Sequence, residues 1–183
     1  MPAKKQITPE QILSAALSLL RRGGAAAVNV KALAAELGCS TQPIYQSFGS
    51  MDSLRAALIP EAVACFMTAM ERENGGAPAT LYSMAYIRAA DAEPQLFTFL
   101  FLRPNAFAET RQALAPILAH SIADLQARYR LDYNEAHHLH DQLWMHAHGI
   151  ASMTATRFCT WDMNKVRRML DECHALLARK YEA

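Results

Sequence analysis

Apolar residues return along this chain at steps of three and four, and no stretch alternates apolar with polar at period two. Ala, Leu and Met fill those positions and β-branched residues are few, so the pattern predicts an all-α protein of about nine helices. The first helix has a clear start and stop. Thr8 is its cap, Pro9 suits the first helical position, and Gln11 completes a capping-box spacing. Ile12, Leu13, Ala16, Leu17 and Leu20 make its apolar face, and Arg21 and Arg22 precede the stop at Gly23–Gly24. Asn29 caps a second helix carrying Val30, Leu33, Ala34 and Leu37, which Gly38 ends. Ser40 is the expected cap of a very short third helix, with Pro43 tolerated in its first turn and a break at Gly49. Ser50 caps a fourth, kinked at Pro60 and reaching Asn74–Gly75–Gly76.

Five further helices are expected over 78–92, 94–102, 106–130, 134–158 and 162–180. The third of these is interrupted at Pro116, and the last two are capped by Asn134 and Asp162. No internal repeat or low-complexity linker divides the chain.

Composition narrows the class. A chain of 183 residues, 52% hydrophobic and 19% charged, buries too much apolar surface to be disordered. No run approaches the roughly 18 uninterrupted apolar residues of a membrane span. Polar Gln6, Thr8, Glu10 and Gln11 deny a secretory signal its apolar core. Cys39, Cys65, Cys159 and Cys173 form no CxxC pair, so the expectation is a cytoplasmic chain with reduced thiols and no membrane partner. A net charge of +1 speaks against nucleic acid until the chain is divided. Residues 1–60 hold six basic side chains (Lys4, Lys5, Arg21, Arg22, Lys31, Arg55) against three acidic ones (Glu10, Glu36, Asp52), a net +3. The remainder holds twelve against fourteen, a net −2. The basic excess sits in the first third.

That segment also carries the most specific pattern. Two helices joined by a tight turn at Gly38, the second only two turns long, have the outline of a helix-turn-helix. Ile44 and Phe48 stand at i, i+4 and can anchor the second helix, while Thr41, Gln42, Tyr45 and Gln46 project elsewhere. Gln can bond adenine N6 and N7 together, Thr can offer a methyl to thymine or a hydroxyl to phosphate, and a tyrosine hydroxyl can reach a phosphate. Read without further context, the same pair is also a plain packing unit with Tyr45 as a core aromatic.

Residues 8–58 resemble the N-terminal DNA-binding domain of TetR-type transcriptional regulators. The resemblance is carried by Ile12-Leu13-Ser14-Ala15-Ala16, Gly23, Leu33-Ala34-Ala35-Glu36-Leu37-Gly38, Ser40, Ile44-Tyr45, Phe48, Ser50 and Leu54. Leu143-Trp144 with His148-Gly149 is similar to a signature of one C-terminal subgroup. The resemblance implies a DNA-binding domain over 1–50 and an effector-binding and dimerisation domain over 51–183. It implies a homodimer on a palindromic operator in double-stranded DNA, with base-edge contacts from Thr41, Gln42 and Pro43. Phosphate contacts are implied for Tyr45, Lys31, Ser47 and Ser50, and Ser40 and Gln46 complete the DNA-facing set. Met51 stands where Lys is common in the family, and Gln46 and Ser47 where Arg and His are frequent. Affinity should therefore draw less on charge.

The resemblance further implies a repressor, not an enzyme, released by a small apolar effector and needing no cofactor. Phe66, Met70, Tyr86, Phe99, Trp144 and His148 are the expected pocket, although large residues between 62 and 156 also simply fill a helical core. Leu139, Leu143, Ile150 and Met153 make one apolar stripe, and Val166, Met169, Leu170, Cys173 and Leu177 another. Paired across a two-fold axis they would build a four-helix dimer interface, but core packing produces the same stripes. Five histidines, His137, His138, His140, His146 and His148, crowd one helix, and Glu135-x-x-His138 matches an element of di-iron bundles. There is no second copy, and neighbours 137 and 138 point about 100° apart, so no metal is expected. A metal- or ligand-binding bundle and a thiol-based redox sensor are the alternatives. Neither a nucleophile–base motif nor a glycine-rich phosphate loop is present.

Overall fold

The structure, a computed structural model, describes residues 7–74, 82–104 and 106–181. Among these residues the chain is all-α, with nine helices and no strand. Helix α1 (Pro9–Gly23) starts on the expected capping box. The Gln11 N–H donates to the Thr8 hydroxyl at 3.3 Å, and the Thr8 N–H donates to Gln11 Oε1 at 3.0 Å. A 3-10 turn (Ala25–Ala27) leads to α2 (Val30–Leu37), where Asn29 Oδ1 accepts from the Ala32 N–H at 3.0 Å. Gly38 ends α2 in the left-handed conformation (φ 64°, ψ 36°), which a residue without Cβ adopts freely. Next come α3 (Gln42–Phe48) and α4 (Met51–Asn74), the latter capped by the Ser50 hydroxyl, which accepts from the Ser53 N–H at 3.1 Å.

The remainder comprises α5 (Tyr82–Ala92), α6 (Pro94–Phe101), α7 (Ala106–Tyr129), α8 (Tyr133–Ala155) and α9 (Met163–Ala178), closed by a 3-10 turn (Arg179–Tyr181). The expected start of the fifth helix at 78 lies outside the described residues. Helix α4 runs through Pro60, and α7 runs through Pro116 without the expected interruption. Both prolines are exposed, so the carbonyls they leave unpaired can face water.

Three boundaries differ from expectation for local reasons. Ser40 does not cap α3; Thr41 is the N-cap, in a helical conformation with no side-chain bond to the helix. Asp132, not Asn134, caps α8: its carboxylate accepts from the Glu135 N–H at 2.9 Å and Glu135 returns the bond at 3.2 Å. That helix stops at Ala155, short of 158, because Arg157 turns left-handed (φ 56°) and the Phe158 N–H caps the Met153 carbonyl at 3.0 Å.

One apolar core runs from the first helices into the body. Ile12, Leu20, Leu33, Ile44, Leu54 and Leu58 join it to Phe66, Ile87, Phe97 and Leu100 without a break. A second, smaller cluster (Ile122, Leu125, Ala136, Leu139) closes the far end of α7 and α8. Among the described residues one helical stretch, Met51–Glu73, is long and apolar enough to cross a membrane. It lies in α4, whose Leu54, Leu58, Ala62, Phe66 and Ala69 are buried in the main core.

Candidate nucleic-acid interface and effector site

Two groups of candidate side chains stand on the same core. At the first, Ile44 is buried to 1% exposure and pins α3 to α1 and α4. Phe48, half-buried, adds to that anchor. With this face fixed, Thr41, Gln42, Tyr45, Gln46 and Ser47 are exposed, and Pro43 is half-buried. Tyr45 keeps 46% of its surface in solvent, so the reading of it as a core aromatic fails. Because Thr41 spends no side-chain bond on capping, its hydroxyl and the first-turn N–H groups of α3 remain available to an outside acceptor. Ser40, Ser50 and Lys31 are exposed around this helix.

The cations of this region are mostly engaged. Arg21 pairs with Glu93 (Nε to Oε2, 3.0 Å), Arg22 with Glu36 (2.8 Å) and Arg55 with Asp52 (3.0 Å). Lys31, near the start of α2, has no ion-pair partner among the described residues. Lys4 and Lys5 lie outside the described residues. Within the described part of this surface, Lys31 is the cation free to meet a phosphate.

The second site is an aromatic cluster between α4, α5, α6 and α8. Tyr86 and His148 form its polar centre, the tyrosine oxygen 2.9 Å from His148 Nδ1. Phe66, Phe97 and Phe101 surround Tyr86 at ring separations of 5.5–5.8 Å, mostly edge-on. Trp144 stacks on His148 at 4.9 Å. Burial drives the Tyr86 hydroxyl far above its ordinary range and pushes His148 down. Tyr86 therefore stays protonated and His148 neutral, so the hydroxyl donates to Nδ1 and the imidazole proton sits on Nε2.

Four of the six residues expected at the pocket, Phe66, Tyr86, Trp144 and His148, meet here. Met70 and Phe99 are both buried in the same core, but Phe99 is turned away from the ring cluster. Residues 97 and 101 share a face of α6, whereas 99 is rotated about 200° from 97. Phe99 instead carries the Arg103 guanidinium 4.9 Å above its ring, and Arg103 pairs with Glu109. Sequence reasoning missed Phe97 and Phe101; their i, i+4 spacing, matched to that of Trp144 and His148, was the available signal.

Helix α6 also touches the first region. A Cβ on Gly24 (φ 72°) would lie 2.4 Å from Gln95 Oε1, and Glu93 at the same end holds Arg21. One face of α6 thus enters the aromatic cluster while its N-terminal end abuts α1.

The two stripes expected at a dimer interface divide. Leu139, Ile150, Val166 and Leu170 are buried in the chain's own core, whereas Leu143, Met153, Met169, Cys173 and Leu177 are half-buried. Met145 and Leu176, named in neither stripe, are 52% and 65% exposed. His137 and His140 lie near Asp141 (3.3 and 3.5 Å), and His174 pairs with the Tyr129 hydroxyl at 2.8 Å. Among the described residues no three His, Cys, Asp or Glu converge as a metal would require. A notch of about 30 Å³ beside His146 and His174 is of the size that holds one or two waters. Burial holds the Cys65 and Cys173 thiols above their ordinary range, opposite to the shift that activates a thiol.

Comparison with known proteins agrees with this geometry. Residues 12–58 match the family model of the bacterial regulatory proteins of the tetR family. The chain is 28% identical over 165 residues to an uncharacterised HTH-type transcriptional regulator of Mycobacterium tuberculosis, covering 85% of this chain and 72% of that one. A transcriptional regulator from a Rhodococcus species has a similar fold (TM-score 0.72, 16% identity, 96% of this chain and 98% of that one). The fatty acid degradation regulator of Bacillus halodurans is also similar in fold (TM-score 0.60, 16% identity, 93% and 98%).

Proposed function

We propose that the chain is a TetR-family, DNA-binding transcriptional regulator that represses transcription as a homodimer on a palindromic operator, a reading supported by the family match over 12–58 and by the similar regulators. A small, largely apolar effector releases it, and it has no catalytic role. The observation that carries the reading is α3: one side anchored through Ile44, the other exposing Thr41, Gln42, Tyr45 and Gln46 beside the unpaired Lys31. These groups suit base edges and phosphates of a major groove. A single two-turn helix reads few base pairs, so a second copy related by a two-fold axis is the natural complement.

The second copy belongs on the outer face of α8 and α9. Met145, Met153, Met169, Cys173 and Leu176 leave apolar surface there. Gly149, inside α8, would meet nothing within 4 Å if it carried a Cβ. A helical glycine costs about 1 kcal/mol relative to alanine. Among the described residues no neighbour accounts for it, and a closely crossing partner helix would. The division into a reading head over 1–50 and a sensing body over 51–183 follows from the same assignment. Effector entry at the Tyr86–His148 cluster would act through α6 on α1, at Gly24 and Arg21.

Selection of bound duplexes from a random-sequence library, with the mass of the free protein measured by light scattering, tests this reading. The expected result is an inverted repeat enriched by a dimer. A monomer, or a library without any enriched repeat, overturns it.

A further inference from the structure

The largest ring of the aromatic cluster is the one left partly in solvent. Trp144 keeps 37% of its surface exposed, while Phe66, Tyr86 and Phe97 are buried. Its indole lies over His148 at 4.9 Å and 30°, the one stacked pair in the cluster; the remaining ring pairs are tilted or edge-on. Trp144 also acts on Tyr86, working against the burial that raises the hydroxyl. Since the Tyr86 hydroxyl gives its proton to His148 Nδ1, its oxygen keeps its lone pairs for an outside N–H or O–H donor. The polar groups of the cluster are thus the indole N–H of an exposed ring, a half-buried imidazole and a buried tyrosine oxygen. All three are neutral, α6 carries no charged residue, and Arg103, just beyond its end, sits on Phe99 round the helix.

We propose that the Trp144 side chain holds the effector's place. The effector is a neutral, flat aromatic molecule of about indole size carrying one N–H or O–H donor. It stacks on His148, donates to the Tyr86 oxygen, and displaces Trp144 into solvent. The assignment rests on the reading of this cluster as the effector site and adds the ligand's chemistry to it. Flatness follows from the stack, and the donor follows from the acceptor that the Tyr86 oxygen offers. Neutrality follows from the absence of a counter-charge among these rings, where an unpaired anion would be strongly penalised. The exchange needs little rearrangement, because the displaced ring already borders water.

Trp144→Ala in the full-length protein tests this directly, with indole as the probe and benzoate and octanoate as comparisons. Affinities come from calorimetry and thermal shift. The variant should bind one indole per chain at least about tenfold more tightly than the wild type, because the slot is then vacant. Benzoate and octanoate should gain no affinity. Tyr86→Phe placed on Trp144→Ala should remove most of the indole gain, since the donor loses its acceptor. A helical, cooperatively melting Trp144→Ala that gains nothing for indole overturns the proposal. An equal gain for octanoate or benzoate overturns it too, the first pointing to a non-specific apolar slot and the second to a hidden cation. If Trp144→Ala does not fold, Trp144→Phe carries the test, with a smaller gain expected and no gain fatal. None of these measurements involves DNA. Failure of the wild type to select an operator would therefore overturn the repressor reading separately from this one.

Discussion

The reading head and the sensing body place their polar groups in opposite ways. On α3 the polar side chains point outward and are largely unspent: Thr41 caps nothing, and Tyr45 is 46% exposed. In the body Tyr86 and His148 turn inward and spend their bonds on each other. A surface that must read many outside groups needs free donors and acceptors held on a rigid face. A site that recognises one small molecule needs its polar groups few, buried and already oriented. The difference separates what each region loses on mutation: affinity at the head, stability at the centre of the body.

Phe97→Ala should give the largest effect. This ring is fully buried and touches four others of the cluster, so its loss should cost about 3–5 kcal/mol of stability. At about 2–4 °C per kcal/mol for a chain of this size, melting should fall by roughly 6–20 °C. A fall below about 3 °C would mean the cluster is looser than its ring distances suggest.

Tyr45→Ala should show the reverse signature. Operator binding should weaken by about 1–3 kcal/mol, with stability unchanged within about 0.5 kcal/mol. Comparable loss of melting temperature in both variants would erase the contrast between head and body.

Lys31→Ala sharpens the comparison within the head. Per dimer the slope of log affinity against log salt should become shallower by about 2, uniformly across operator sequences. Arg22→Ala and Arg55→Ala should change it less, because each cation already has a carboxylate.

The smallest effect concerns pH. Burial lowers His148 in the folded chain, and His140 and His174 shift in the same direction. The unfolded chain thus binds more protons, and stability should decline as pH drops below the ordinary histidine value of 6.5. The decline should level off below the folded values. His148→Phe should flatten part of that decline in melting curves between pH 7.5 and 5.5. An unchanged profile would place the titration entirely on the other two.

The head was legible because its chemistry is local. Thr8–Gln11, Asn29 and Ser50 announce helix starts, and the whole reading surface fits between Asn29 and Ser50. Errors arose where two good caps stand close together, Ser40 beside Thr41 and Asn134 just after Asp132. There the spacing to Glu135 was the deciding signal. The body was legible only in part. Trp144 and His148 share a helix and can be paired by periodicity, but Tyr86 meets His148 across 62 positions. No periodic pattern states which helices lie together, so the phase error between Phe99 and its neighbours Phe97 and Phe101 could not be corrected before packing was seen.

Helix α6 is eight residues, about 12 Å from end to end. A rod that short cannot dissipate a push by bending along its length. Under the proposed mechanism, a shift of the Phe97 and Phe101 rings would reach the Gly24–Gln95 joint through this one short rod. In that mechanism the helix would serve as a feeler gauge, a stiff blade of fixed thickness between the aromatic cluster and α1.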